Sequence, residues 1–345
     1  MHRFAKLLPQ MAAIPGAFIV NLLVPGEASA HVKWFCAFNV AGQPVGLENV
    51  LCPDFELLAA VSIIILMTGA LIEWTSLGSA ILRALDRVTA VVHDNIEIIC
   101  RATIAFFFIS IWAMGGILLT PELKTSSTIV GCIQLGIAAG MLSRRTMPLS
   151  AFGIAVIYAI AIWEYDIFHL ADYPIFLGIA AWLALTGLQR DFFGVKAIDI
   201  LRWSAGITLM WASIEKWAYP EWTYPLLIQH PEMTLGFSVD FYMRAAGAVE
   251  FAAAFALMWT PLVRRMAAII LSGMFIGAVA EFGKIDLVGH SAIIAVLFAI
   301  AADSRRETKL VSRPWLVPIG YAGALAAVLA TYYVAHSALF GTSIT

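Results

Sequence analysis

Apolar runs of a length that can cross a lipid bilayer recur along most of this chain, and short polar breaks separate them. A membrane-spanning helix needs about 20 predominantly apolar residues, because the hydrocarbon core is about 30 Å thick. Only 13% of the 345 residues are charged, about half the share of a soluble domain. The sequence therefore predicts an all-α, polytopic membrane helical bundle. Its ten predicted helices lie at 57–80, 102–120, 126–143, 149–163, 174–188, 200–217, 242–260, 265–281, 288–303 and 315–337.

The N-terminus has the pattern of a secretory signal. Arg3 and Lys6 form a basic region, a short apolar stretch follows, and residues 28–30 fit an A-x-A cleavage site. An uncleaved first membrane helix is the alternative. Cleavage would make His31 the first residue of the mature chain, outside the membrane.

The basic residues orient the predicted helices. With residue 31 outside, fourteen Lys and Arg residues lie on the inner side and five on the outer side, and the other two of the 21 lie in the signal. Because basic residues accumulate at the cytoplasmic ends of membrane helices, the chain is predicted to cross a bacterial inner membrane many times, with its C-terminus in the periplasm. The lipid bilayer is its predicted partner. Nothing in the sequence predicts a nucleic-acid partner.

The stretch 81–101 is too polar to span a membrane, and its apolar residues recur at helical spacing. It is predicted to form an amphipathic helix on the cytoplasmic surface. A docking site for a partner is the alternative interpretation.

Two parts of the chain share an order of features, which predicts an internal duplication. Arg101 opens the first part and Arg202 the second, and Gln134 in the first corresponds to Glu250 in the second. An even number of helices in each part makes the repeats parallel rather than inverted. The predicted boundaries are 1–30 for the signal, 31–56 for a periplasmic segment, 57–101 for a leader helix with the amphipathic helix, 102–190 and 191–303 for two four-helix units, and 304–345 for a closing helix.

The second unit resembles the DoxX-like superfamily of membrane proteins, which includes the DoxX, DoxD and MauE types. The matching features are Arg202 at the inner start of the first helix, a face of small residues, and Glu215 with Lys216 near its outer end. In the first unit, Gly115 and Gly116 stand where that charged pair would lie. The resemblance implies two DoxX-like four-helix repeats.

Glu250 lies inside a predicted membrane helix among small residues. An ionisable group there costs roughly a few kcal/mol, so it needs a partner or a function. It is predicted either to pair with Lys216 or Arg244, or to be a protonatable group in a redox or transport site.

Polar residues gather at the outer ends of both predicted units. If the units pack side by side, these residues converge on one outward-facing vestibule. Carboxylates beside imidazoles suit proton transfer, and the residues predicted to handle protons or bind a substrate are Glu250, Glu281, Lys216, His169 and His290. The same chemistry suits a metal ion, for which the predicted ligands are His31, His169, Asp172 and His290. Solvated loop charges are the third interpretation.

Cys36 and Cys52 both lie in the predicted periplasmic segment, where disulfides persist. The sequence therefore predicts a disulfide between them.

Three functions are consistent with these patterns. The first is the function that the resemblance implies, a membrane component of a periplasmic redox system linked to the quinone pool. Its cofactor would be a quinone or a metal ion, and its partner a periplasmic redox protein or another membrane subunit. The alternatives are a proton- or cation-coupled transporter and a non-catalytic assembly or cargo factor. The sequence lacks Walker A, H-E-x-x-H and C-x-x-C motifs, which argues against ATP-driven transport by this chain alone and zincin chemistry.

Overall fold

A computed structural model describes residues 38–306 and 313–345. The described residues form 13 α-helices and no sheet. The predicted signal, His31 and Cys36 lie outside them. The helices are α1 (Leu47–Val50), α2 (Pro53–Glu73), α3 (Ser76–Met114), α4 (Thr128–Gly140), α5 (Met147–Glu164), α6 (Ile167–Leu170), α7 (Pro174–Leu188), α8 (Ala197–Ala218), α9 (Tyr224–Gln229), α10 (Val239–Leu257), α11 (Pro261–Phe282), α12 (Lys284–Ala302) and α13 (Val317–Phe340).

Each of the ten predicted helices overlaps one of these elements. Six helices of the described chain are long and apolar enough to cross a membrane, namely α2, α3, α5, α11, α12 and α13. The helices α4 and α7 are apolar but shorter, whereas α8 and α10 are long enough but carry several charged residues. The prediction of an all-α, multi-pass membrane protein is thus confirmed.

The predicted break between an amphipathic helix and the next span, at residue 101, is wrong. The helix α3 runs for 39 residues, or about 58 Å at 1.5 Å per residue. Arg101, which marked the predicted break, is accommodated within the helix because its Nε donates to the Met141 carbonyl at 2.7 Å. The helix ends at Met114 rather than at residue 120, because Gly115 adopts a left-handed backbone with φ of 73°.

Eight helices form a closed cycle in which each packs on the next. The cycle runs through α3, α4, α5, α7, α8, α10, α11 and α12, which packs back on α3. The helices α8 and α12 also touch each other across the cycle. The helix α2 packs outside it against α10 and α11, and α13 packs against α2, α8 and α10.

A buried cluster of charges joins the starts of α8 and α11 to the end of α12. Arg264 Nη2 lies 3.0 Å from Asp303, and Arg305 Nη2 lies 2.8 Å from Asp303 and 2.9 Å from Asp199. Arg202 in turn lies 3.1 Å from Asp199. Burial alone would raise the pKa of the Asp303 carboxyl, but hydrogen bonds and charges from Arg305 and Arg264 outweigh burial and lower the pKa below its usual value.

The opposite end of the bundle is held by the segment before α1 and the segment around the end of α13. Leu47 donates its N–H to the Ile344 carbonyl at 3.0 Å, and Val45 donates to the Ala218 carbonyl at 2.8 Å. His336 of α13 is fully buried, and its Nε2 lies 2.7 Å from the Tyr219 hydroxyl. These contacts fix the end of α8, where Glu215 and Lys216 lie.

Gly178 marks a close approach of α7 to α8. A Cβ built at this glycine would lie 2.4 Å from the Ser204 Cβ, which cannot rotate away. We expect Gly178→Ala to lower the stability of the detergent-purified protein by about 1–3 kcal/mol, because overpacking forces the backbone to shift. Thermal denaturation measures the effect.

The control for this prediction is Gly273→Ala, since a Cβ at that helical glycine meets nothing within 4 Å. Adding Ser204→Gly to Gly178→Ala should recover most of the lost stability. Equal melting of the Gly178→Ala and Gly273→Ala proteins would contradict the close packing.

Candidate functional site

A cavity of about 520 Å³ opens between α8, α10, α11 and α12, a size that is typical of small-molecule sites. It lies at the ends of α8 and α11, away from the buried charge cluster at their starts. All of its lining residues fall within 209–290. Its aromatic residues are Tyr219, Trp222, Tyr242, Phe275 and Phe282, and its ionisable residues other than tyrosine are Glu215, Lys216, Glu232, Glu250, Glu281, Asp286 and His290.

Glu250 pairs with Lys216 on the wall of this cavity, at an Nζ–Oε2 distance of 2.7 Å. The pair is possible because α8 and α10 approach closely: a Cβ at Gly247 would lie 2.4 Å from Trp217 Nε1. Arg244, the other predicted partner, instead donates to Asp54 at 3.1 Å. Both Lys216 and Glu250 are mostly buried, so their charges compensate each other where water is scarce.

Asp286 and His290 form a second pair, one turn apart on α12. His290 Nδ1 lies 2.8 Å from Asp286 Oδ2, and Asp286 is fully buried. The Phe275 ring lies against the imidazole, with ring centroids 4.6 Å apart. A carboxylate at this distance fixes the orientation of the imidazole ring.

His230, Glu232 and Glu281 meet at the mouth of the cavity. His230 Nδ1 lies 3.2 Å from Glu281 and 3.3 Å from Glu232. In the described part of the chain, this is the group whose imidazole and carboxylate atoms lie close enough together to hold a metal ion. Sequence analysis missed His230 and Glu232. These residues lie in the loop after α9, whereas Glu281 lies near the end of α11. Residue spacing along the chain does not reveal a contact between these two parts.

His169 and Asp172 do not line the cavity. His169 Nδ1 pairs with Asp166 Oδ2 at 2.9 Å. The Phe38 ring lies near both His169 and the cavity residue Trp222, with centroid distances of 6.4 Å and 5.7 Å. The structure therefore brings Glu250, Glu281, Lys216 and His290 to one cavity. These four belong to the five residues predicted from the sequence to handle protons or bind a substrate. The fifth, His169, lies outside the cavity.

The corresponding region of the first predicted unit is filled by protein. After α3 the chain turns inward, and Leu118 and Leu119 are fully buried. Gln134 Nε2 donates to the Ile117 carbonyl at 2.7 Å and to the Leu118 carbonyl at 3.1 Å. The predicted vestibule shared by both units is thus replaced by a cavity in the second unit, because a buried loop occupies the space in the first.

Two predictions depend on residues outside the described chain. His31 was a predicted metal ligand, and Cys36 was predicted to form a disulfide with Cys52. Cys52 itself is partly buried and lies at the N-cap of α2. Both predictions stay as predictions.

Comparisons of the chain with protein-family models, with curated proteins and with solved structures gave no match. Its function is therefore argued from the cavity and its side chains.

The Lys216–Glu250 pair predicts a specific pattern of stability. Lys216→Met should destabilise the protein more than Lys216→Met with Glu250→Gln, because the single change leaves a carboxylate without its cation in a largely buried site. Thermal denaturation of the four proteins in a double-mutant cycle should give a coupling energy of about 1–3 kcal/mol.

The more exposed Arg244–Asp54 pair is the control. Its cycle should give less than about 1 kcal/mol. A coupling at Lys216–Glu250 no larger than that at Arg244–Asp54 would show that the cavity wall is well hydrated.

Proposed function

We propose that the chain is a DoxX-like protein of a bacterial inner membrane, and that its cavity binds a quinone-type molecule as the membrane component of a periplasmic redox system. The observation that carries this proposal is the buried Asp286 hydrogen-bonded to His290 on the wall of a largely apolar, aromatic cavity. Aromatic side chains suit a flat ring, and the imidazole suits an oxygen that gains or loses a proton.

The proposed orientation follows from the charges. The cluster of Arg202, Arg264 and Arg305 lies at one end of the helices and the cavity at the other. With the arginine-rich end in the cytoplasm, the cavity opens toward the periplasm. The ten helices that overlap the predicted spans would then cross the membrane, including the shorter α4 and α7, with the polar helices α8 and α10 packed against their neighbours in the cycle.

The packing of the helices supports two DoxX-like units at 102–190 and 191–303. The last helix of the first unit, α7, packs on the first helix of the second, α8, and α12 packs back on α3 in the same way. Each unit thus joins the other through its first and last helices, as two parallel repeats related by an axis along the membrane normal would.

The proposed chemistry is the oxidation of a quinol or its reverse. Oxidation breaks two O–H bonds and releases two protons and two electrons. His290, held in position by Asp286, would accept the two protons one after the other, and Glu281 at the mouth would pass each of them to solvent. The electrons would go to a periplasmic redox partner.

A proton-coupled transporter is the second candidate, because α8 carries ionisable residues at both ends. Asp199 and Arg202 lie at its start, and Glu215 and Lys216 near its finish. In this case Glu250 would load and release a proton while the Lys216 pair opens and closes.

The first test measures quinone bound to the purified protein. We expect the wild type to retain quinone in mild detergent and to bind an added short-chain quinone, with quenching of tryptophan fluorescence. His290→Ala should weaken that binding about tenfold or more, because a hydrogen bond in a buried site is lost. His169→Ala is the matched control, since His169 has an aspartate partner at nearly the same distance but lies outside the cavity.

Three outcomes separate the candidates. Absence of quinone binding, or equal loss in His290→Ala and His169→Ala, would contradict the redox proposal. Loss of pH-dependent uptake in proteoliposomes upon Glu250→Gln would favour the transporter. If the protein tolerates both His290→Ala and Glu250→Gln and copurifies with a partner, these results would favour an assembly factor.

A further inference from the structure

The buried charge cluster contains hydrogen-bond donors that its acceptors do not satisfy. Arg202 is 3% exposed and Arg264 is 0% exposed. In each guanidinium the Nη2 atom contacts an aspartate, but the Nε and Nη1 atoms have no hydrogen-bond partner. Buried polar atoms without a partner are rare in native proteins and call for a bound water or ion.

The charges of the cluster are also unbalanced. Three arginines, Arg202, Arg264 and Arg305, share two aspartates, Asp199 and Asp303. Arg202 and Arg264 lie close enough for their charges to repel each other. An additional anion in the cluster would therefore be favoured for two reasons. It would offset the excess positive charge, and it would accept hydrogen bonds from the unused N–H groups.

The adjacent arginine, Arg265, shows that burial alone does not leave an arginine of this protein with unused hydrogen-bond donors. Arg265 is also 0% exposed, but all three of its side-chain nitrogens are hydrogen-bonded. Its Nε donates to the Ala301 carbonyl at 2.7 Å, its Nη1 to Asp86 at 2.6 Å and its Nη2 to Thr89 at 3.0 Å. Among the buried arginines of the described residues, the donors without a partner thus belong to Arg202 and Arg264.

A third feature of the cluster points to the same kind of ligand. Arg264 lies in the first turn of α11, a helix of 22 residues, and the start of a helix carries a partial positive charge. The N-cap residue Thr260 has a buried hydroxyl that likewise has no hydrogen-bond partner. The Leu262 N–H at this helix start already donates to Glu73, so the donors available to a phosphate group in the cluster are the guanidinium N–H groups, which suit phosphate oxygens.

We propose that Arg202 and Arg264 bind a phosphate group at this end of the bundle. The group comes either from inorganic phosphate or from the headgroup of an anionic phospholipid, because basic pockets between membrane helices bind such headgroups. Arg305 and Arg306 are partly exposed near the cluster, and their positive charges would attract an anion to this end of the bundle. The site is distinct from the cavity, and the proposal does not depend on quinone chemistry.

Thermal denaturation of the delipidated protein in a phosphate-free glycoside detergent tests this site. Added inorganic phosphate should raise the melting temperature in a saturable way at constant ionic strength, because a ligand that binds only the folded state stabilises it. Phosphatidylglycerol should do so more strongly than a neutral glycolipid if the ligand is a lipid. Saturation by phosphate with no preference between the two lipids would assign the free anion.

Arg202→Lys is the diagnostic variant, since it keeps the charge but removes the guanidinium donors. Its apparent affinity for phosphate should fall about tenfold or more. Arg265→Lys is the matched control, equally buried and adjacent to Arg264 but with its nitrogens already partnered. It should retain the wild-type response to phosphate even if it melts at a lower temperature.

The proposal is overturned if neither phosphate nor the anionic lipid stabilises the wild type more than an equal ionic strength of chloride. It is also overturned if Arg265→Lys loses the response as fully as Arg202→Lys. Should Arg202→Lys not fold, anomalous scattering from selenate in wild-type crystals decides the question. A selenate peak between Arg202 and Arg264 supports the site, and water alone at that position contradicts it.

Discussion

The pairing of charges away from water is the constraint on which the rest of this structure depends. A charged side chain within a membrane bundle is stable only when a partner compensates its lost hydration. The chain meets this requirement with Lys216–Glu250 and Asp286–His290 at one end of the helices and with the arginine–aspartate cluster at the other. Glu73 follows the same principle, because its carboxylate accepts the Leu262 N–H at the buried start of α11.

Hydropathy predicted where the helices lie, because lipid contact imposes an apolar surface on each outer helix. It was least informative for α8 and α10, which carry charges yet lie among other helices. It also failed at residue 101, where a carbonyl of another helix accepts from Arg101 and lets α3 continue. Such a partner is set by tertiary packing, which a pattern along one helix does not contain.

The candidate site was predictable only in part, for a similar reason. The cost of an ionisable group in lipid identified Glu250, whereas the gathering of polar residues at the outer ends of the predicted units identified Lys216 and His290. His169 lies outside the cavity and pairs with Asp166, which is set by how the turn after α5 packs. The contact of His230 with Glu281 depends on how the loop after α9 folds back over α11. Neither feature leaves a periodic signal.

The difference between the two predicted units shows how one packing scheme serves structure and chemistry. At the corresponding positions, Gln134 satisfies the backbone of a buried loop, whereas Glu250 faces a cavity and needs a cation. An amide is neutral, so it can be enclosed by apolar side chains once its hydrogen bonds are made. A carboxylate in a largely buried site instead needs a cation beside it, which Lys216 provides. If the two units are repeats as predicted, the amide thus accompanies a filled end and the carboxylate an open one.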